Sequence, residues 1–177
     1  MKVLIVYKSI SGFTKKYAPW ISAELNADCT CLADINKFTF SEYDFLIFGG
    51  SLHAVGINGY KKFKACIPET GADKIIIFAV GASPANPGIE EEIRSANLKD
   101  PSDKNIPLFY LRGGFDYSKL DFPNKIIMKM LKWQLTFKKN RTQDETEMLR
   151  AYKTPLDAAD RKNIEPLINF LKNKYPL

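Results

Sequence analysis

Strand-like apolar runs alternate with helix-like stretches from one end of this chain to the other. The run KVLIVY at residues 2–7 is apolar without alternation, as in a strand covered on both faces. Further strands are expected at CTCLADI (29–35), YDFLIFGGS (43–51), KIIIFAVGAS (74–83) and IPLFYLRGG (106–114). Between them, FTKKYAPWISAELN (13–26) spaces Phe13, Tyr17, Trp20, Ile21 and Leu25 as a helix would, with a kink or a late start expected at Pro19. YKKFKACI (60–67) reads as a short helix. GIEEEIRSANL (88–98) reads as a helix with its acids at the N-terminus, where the helix dipole favours them. A last helix is expected over 156–175, kinked at Pro166.

This alternation predicts a parallel sheet with helices on both faces. Five strands in 177 residues fit the doubly wound order 2-1-3-4-5 better than the longer dinucleotide-binding arrangement. With no internal repeat and no linker, one domain over 1–177 is expected. Residues 115–154 break the alternation with PNKIIMKMLKWQLTFKKNR, an extra basic amphipathic stretch after the fifth strand, and then a polar connection. So long a connection in a compact domain is usually functional.

A hydrophobic share of 45% and a mean hydropathy of -0.23 are those of a globular protein. No apolar run approaches the ~20 residues of a membrane span. The N-terminal run is too short for a signal peptide and leads into polar loop chemistry, so a cytoplasmic protein is expected. The three cysteines, Cys29, Cys31 and Cys66, make no disulfide framework, and with a single histidine no zinc site is expected. The net charge of +6 calls for an anionic partner. Nucleic acid is not expected, since neither an aromatic-basic strand platform nor a recognition-helix motif is present.

The chain leaves its first strand through KSISGFT. Gly12 can adopt a backbone conformation that other residues resist. The amides of Ser11 to Thr14 can then converge at a helix N-terminus, with Ser9, Ser11 and Thr14 adding hydroxyl donors: an anion site made of dipoles. Neither G-x-x-x-x-G-K-[ST] nor G-x-G-x-x-G is present, so a monophosphate fits best. In the order 2-1-3-4-5 the ligand crevice lies between strands one and three, where this loop emerges. Two loops rich in small residues reach the same edge, GGSLHAVGING (49–59) and VGASPANPG (80–88).

A Ser/Thr-x-Ser/Thr-Gly-x-Thr loop after strand one, with glycine-containing loops after strands three and four, resembles the flavodoxin family, whose members bind FMN. The resemblance implies that the FMN phosphate rests on Ser9, Ser11, Gly12, Phe13 and Thr14. It places the isoalloxazine between Ser51, Leu52, His53 and Ala54 on one side and Gly81, Ala82 and Ser83 on the other. The family's electron carriers are acidic and stack an aromatic on the flavin, whereas this chain is basic and offers Ala82, Ser83 and Pro84. Positive surroundings favour the anionic reduced flavin and raise its potential, which suits substrate oxidation. The stretch LRGGFDYSKLDFPNKIIMKMLKW (111–133) resembles the flavodoxin-like protoporphyrinogen dehydrogenases, which pass electrons from a haem precursor to a respiratory quinone. Gly114, Asp116, Tyr117, Lys125, Ile126, Met128, Lys129 and Met130 carry that likeness. An electron carrier without a substrate of its own is the alternative.

Lys125, Lys129 and Lys132 fall on one face of the extra helix, and Ile126, Ile127, Met130, Leu131 and Trp133 occupy much of the rest. Two readings stand. The helix packs on the domain with a solvated lysine face, or it meets an anionic membrane surface or covers a porphyrin-like ligand. A peripheral place at the inner membrane face goes with the second. His53 reads either as a polar loop residue or as a proton donor to the flavin or substrate. Tyr117 and Asp116 are candidates for substrate contact. Ser51 with His53 does not make a hydrolase, since the G-x-S-x-G elbow is missing and a histidine so near in sequence cannot fold back as the base.

Overall fold

The computed structural model describes residues 2–67, 74–120, 122–152 and 154–174. Its main sheet has five parallel strands in the order β2 (Asp28–Cys31), β1 (Val3–Lys8), β3 (Phe45–His53), β5 (Ile75–Gly81), β6 (Leu108–Arg112), the doubly wound order expected. The crossovers carry α1 (Phe13–Leu25), α2 (Tyr60–Cys66) and α3 (Ile89–Asn97), and α6 (Glu165–Lys174) closes the chain.

Strand periodicity sorts the core into two layers. Val3, Ile5, Ile47, Ile76 and Phe78 face α1 and α6, where Tyr17, Ile21, Leu167 and Leu171 are buried. Leu4, Val6, Phe48, Ile75 and Ile77 face the other side, against Phe63 of α2 and Ile93 of α3. Each side chain so buried contributes roughly 1.5–3 kcal/mol of transfer free energy. Tyr17 ties the first layer together: its hydroxyl donates to the Arg112 carbonyl at 2.5 Å and accepts from Asn163 Nδ2 at 2.7 Å.

Several elements differ from the sequence expectation. β2 ends at Cys31 and Leu32–Lys37 forms a 3-10 turn, in which Cys31 Sγ donates to Asp34 Oδ2 at 3.0 Å. All three cysteines are free and half-buried. α1 starts at Phe13 and runs through Pro19 without a late start, because its buried stripe of Tyr17, Ala18, Ile21 and Leu25 is anchored on the sheet. A short β4 (Gly56–Ile57) turns back antiparallel on β3.

The single helix expected over 156–175 is three pieces. Leu156–Asp157 forms β8, antiparallel to β7 (Gly114–Phe115); Arg161–Ile164 is a 3-10 turn; only then does α6 begin. Pro166 lies in the first turn of α6, where a missing N–H costs nothing, so it starts the helix and does not kink it. Position 175 lies outside the described residues.

The extra helix after the fifth strand is α4 (Phe122–Phe137). The expected polar connection holds a further helix, α5 (Gln143–Ala151). It begins with a capping box, in which Glu145 N donates to Thr142 Oγ1 at 3.2 Å and Thr142 N to Glu145 Oε2 at 2.9 Å. Lys138 pairs with Glu145 at 2.7 Å, and Arg141 Nε donates to the Leu135 carbonyl at 2.5 Å, closing the turn between the two helices.

Candidate active site

The C-terminal ends of β1, β3 and β5 open on one edge of the sheet. Leaving β1, the chain turns at Gly12, whose φ of 92° lies in the left-handed region. A Cβ there would meet nothing within 4 Å, so conformation, and not crowding, makes this a glycine position. Gly12 caps α1 without a side-chain bond, and the first-turn amides have no partners inside the helix. Gly12 N itself donates to Ser9 Oγ at 3.1 Å, so this amide closes the turn and the Ser9 hydroxyl proton is left to donate outward.

Thr14 is fully buried and its Oγ1 has no hydrogen-bond partner; Ser51 Oγ, at the end of β3, is in the same condition. A buried unsatisfied hydroxyl costs about 1–3 kcal/mol. Two such hydroxyls, one in the first turn of α1 and one at the end of β3, fit a ligand with acceptor oxygens. The Phe13 side chain is buried in the core against Gly113 and Gly114, which leaves only its backbone at the turn.

Beside this turn lies a cavity of about 670 Å³, lined by Ser11, by Ser51, Leu52, His53 and Ala54, and by Gly81, Ala82 and Ser83. The two walls expected from the sequence therefore face one space, of a size typical for small-molecule sites. Ala54 holds a left-handed φ of 51° at the turn from β3 into β4, an uncommon conformation for a residue with a Cβ. Among the described lining residues, His53 and Tyr110 are the titratable ones.

Tyr110 is a lining residue that the sequence did not single out. Tyr110 of β6 donates its hydroxyl hydrogen bond to the Ser83 carbonyl at 2.6 Å, and burial pushes its pKa up to about 12. A Cβ on Gly81 would lie 2.7 Å from that hydroxyl, so glycine is required there for close approach. Strand alternation in LFYLR puts Tyr110 on the face of Leu108 and Arg112, a signal present in the sequence. Arg112 Nε is a third buried group without a partner. Ile127, Met128, Met130, Leu131 and Gln134 of α4 and Met148 of α5 form a roof over the cavity.

Tyr117 and Asp116 lie outside this lining. Tyr117 packs on Tyr152 with ring centroids 5.4 Å apart, and Asp116 is buried with Oδ1 accepting from Ser118 N at 3.0 Å. Both brace the segment that carries α4, as does Tyr152, whose hydroxyl donates to the Met128 carbonyl at 2.6 Å. Lys125, Lys129 and Lys132 do not line the cavity either; Lys132 Nζ sits 5.3 Å from the Tyr152 ring centroid. The apolar residues of α4 divide between two faces. Met128 and Leu135 pack inward, while Ile126, Met130 and Trp133 are exposed. Ser51 Oγ has no bond to His53, and among the described residues no group of His, Cys, Asp and Glu could hold a metal ion.

The model of a protein family described as a flavodoxin domain matches residues 4–143. Among solved structures, a flavodoxin from the domain Archaea is 16% identical, with a TM-score of 0.41 over 85% of this chain and 92% of that one. A flavodoxin, WrbA-like protein from Agrobacterium tumefaciens is 15% identical, with a TM-score of 0.40 over 70% of this chain and 87% of that one. A protein of Bacteroides eggerthii DSM 20697 described as a flavoprotein is 14% identical, with a TM-score of 0.43 over 62% of this chain and 85% of that one. A comparison with curated proteins finds no match.

Proposed function

The chain belongs to the flavodoxin domain family, and on that premise we propose that it binds FMN and acts as an oxidoreductase on a planar small molecule. The observation that carries this reading is the buried, unpartnered Thr14 Oγ1 behind the left-handed Gly12 cap, next to the loop whose Ser11 lines the cavity. In this reading the hydroxyls of Ser9, Ser11 and Thr14 and the amides of Phe13 and Thr14 bind the phosphate. Leu52, His53 and Ala54 flank the ring on one side, and Gly81, Ala82 and Ser83 on the other. Bound FMN supplies the electron transfer; the chain anchors, orients and shields it. Tyr110 holds the second wall through Ser83, and the His53 side chain lines the first.

The roof favours an enzyme over a carrier. Met128, Leu131 and Met148 are apolar, polarisable groups above the walls, so they leave space for a substrate while excluding water. The likeness of residues 111–133 to protoporphyrinogen dehydrogenases makes such a haem precursor the first substrate to try, with a quinone as acceptor. A carrier without a substrate of its own is the alternative. The test begins with FMN titration of the purified protein, where quenching of flavin fluorescence at micromolar concentration is expected and its absence overturns the reading. Anaerobic addition of protoporphyrinogen, then of a quinone, to the FMN-loaded protein separates the two functions. Flavin reduction by the first and reoxidation by the second mark the enzyme. A flavin that responds only to protein redox partners marks the carrier.

A further inference from the structure

We propose that α4 lies flat on an anionic lipid bilayer, with Phe122, Ile126, Met130, Trp133 and Phe137 seated among the acyl chains just below the headgroups. These five side chains are 76%, 47%, 63%, 67% and 70% exposed. Their spacing of i, i+4, i+8, i+11 and i+15 gathers them into an arc of about 80° on a helix with 3.6 residues per turn. The opposite side carries Leu135, which is 6% exposed, and Met128, packed beneath the helix. The apolar stripe therefore points away from the protein along the length of α4. Scattered apolar residues on a surface are ordinary, but a continuous stripe marks an interaction surface.

Charge selects the occupant. α4 contains no acidic residue. Lys129 borders the stripe, Lys125 and Lys132 lie farther round on the same flank, where Lys132 meets the Tyr152 ring, and Lys139 and Arg141 follow the C-terminal end beyond Lys138, which pairs with Glu145. A second copy laid antiparallel on this stripe would set lysines against lysines. An anionic bilayer offers hydrocarbon to the stripe and phosphate to its border, and Trp and Lys are residues that settle at that boundary. Among the described residues no helix is long and apolar enough to cross a membrane, so the contact is along the surface. Met130 belongs both to the stripe and to the cavity lining, which brings the roof of the cavity to the lipid face. The docking itself does not depend on the flavin reading.

The test is cosedimentation of the purified protein with phosphatidylcholine vesicles, with and without phosphatidylglycerol, at low and high salt. Wild type is expected to bind the anionic vesicles at least tenfold more tightly than the neutral ones, with Trp133 fluorescence shifting to the blue, and to weaken as salt rises. Trp133→Gln with Phe137→Gln is expected to lose at least tenfold in vesicle binding. Lys129→Gln with Lys132→Gln is expected to lose the preference for anionic lipid. Both pairs are exposed, and apart from the contact of Lys132 with the Tyr152 ring neither holds the fold, so thermal unfolding should shift little and both variants should keep native helix content by circular dichroism. Three results overturn the proposal: wild type that ignores anionic vesicles at low salt, vesicle binding that survives the Trp133 and Phe137 changes, or a wild-type dimer that those changes dissolve, which makes the stripe a contact between copies.

Discussion

The Tyr110 hydroxyl donates to the Ser83 carbonyl at 2.6 Å, and this bond ties the loop after β5 to the neighbouring strand β6. One wall of the cavity is thus positioned by a residue almost thirty positions away in sequence. Tyr110→Phe removes the bond and keeps the ring. The expected cost is about 0.5–1.5 kcal/mol of stability and up to about tenfold in FMN affinity. Urea unfolding and fluorescence titration check it; unchanged affinity would mean that Ser83 is held in place by other contacts.

Gly12→Val is expected to abolish FMN binding and leave the fold in place. Valine at a φ of 92° is strained by about 1–2 kcal/mol although the space around it is open. Circular dichroism should show native helix content while the flavin titration stays flat. Wild-type affinity in the folded variant would dismiss the cradle.

Thr14→Val makes opposite predictions for stability and binding. Its hydroxyl is buried with no partner, so replacing it by a methyl in the flavin-free protein should be neutral or stabilising, by up to about 1–3 kcal/mol. FMN affinity should fall while riboflavin affinity, which involves no phosphate, should not. Thermal melts without flavin, set beside titrations with both ligands, read the two effects separately. An equal loss for both ligands would place Thr14 away from the phosphate.

Alkali should destabilise the protein over a defined range. Burial comes first among the causes that push Tyr43, Tyr110 and Tyr152 up to about 12, and the Asp28 carboxylate adds to the shift of Tyr43. The unfolded chain loses these protons near the ordinary value of 10, while the folded protein keeps them to about 12. The unfolded state therefore binds fewer protons in that interval, and stability falls as pH rises through it. Below the ordinary value these groups make no difference. Urea midpoints measured on both sides of pH 10 should show the decline, with a smaller slope in Tyr110→Phe; an equal slope would assign it to other groups.

The sequence by itself determined the order and kind of the main elements, since each depends on neighbours within a few positions. The unalternated run at Val3–Val6, the helical spacing of Tyr17, Ile21 and Leu25, and the turn at Gly12 are local facts, and they lead to the doubly wound sheet and to a ligand edge at its strand ends. The T-x-x-E pattern of Thr142 and Glu145 is a local helix-start signal too, but the segment reads as a polar connection from its composition, and the capping box of α5 emerges only in the structure. Only the tertiary structure decided that Leu156–Asp157 is a strand, because its partner Gly114–Phe115 lies about forty residues earlier. The same holds for the meeting of Tyr110 with Ser83 and for the packing of Tyr117 on Tyr152. α4 is apolar on most of its circumference, so its periodicity leaves open which side is covered. Contacts of Met128 and Leu135 with the rest of the protein made that choice and turned Met130, Trp133 and Phe137 outward. Periodicity determines which side chains share a face; long-range packing determines which face meets the protein and which meets its surroundings.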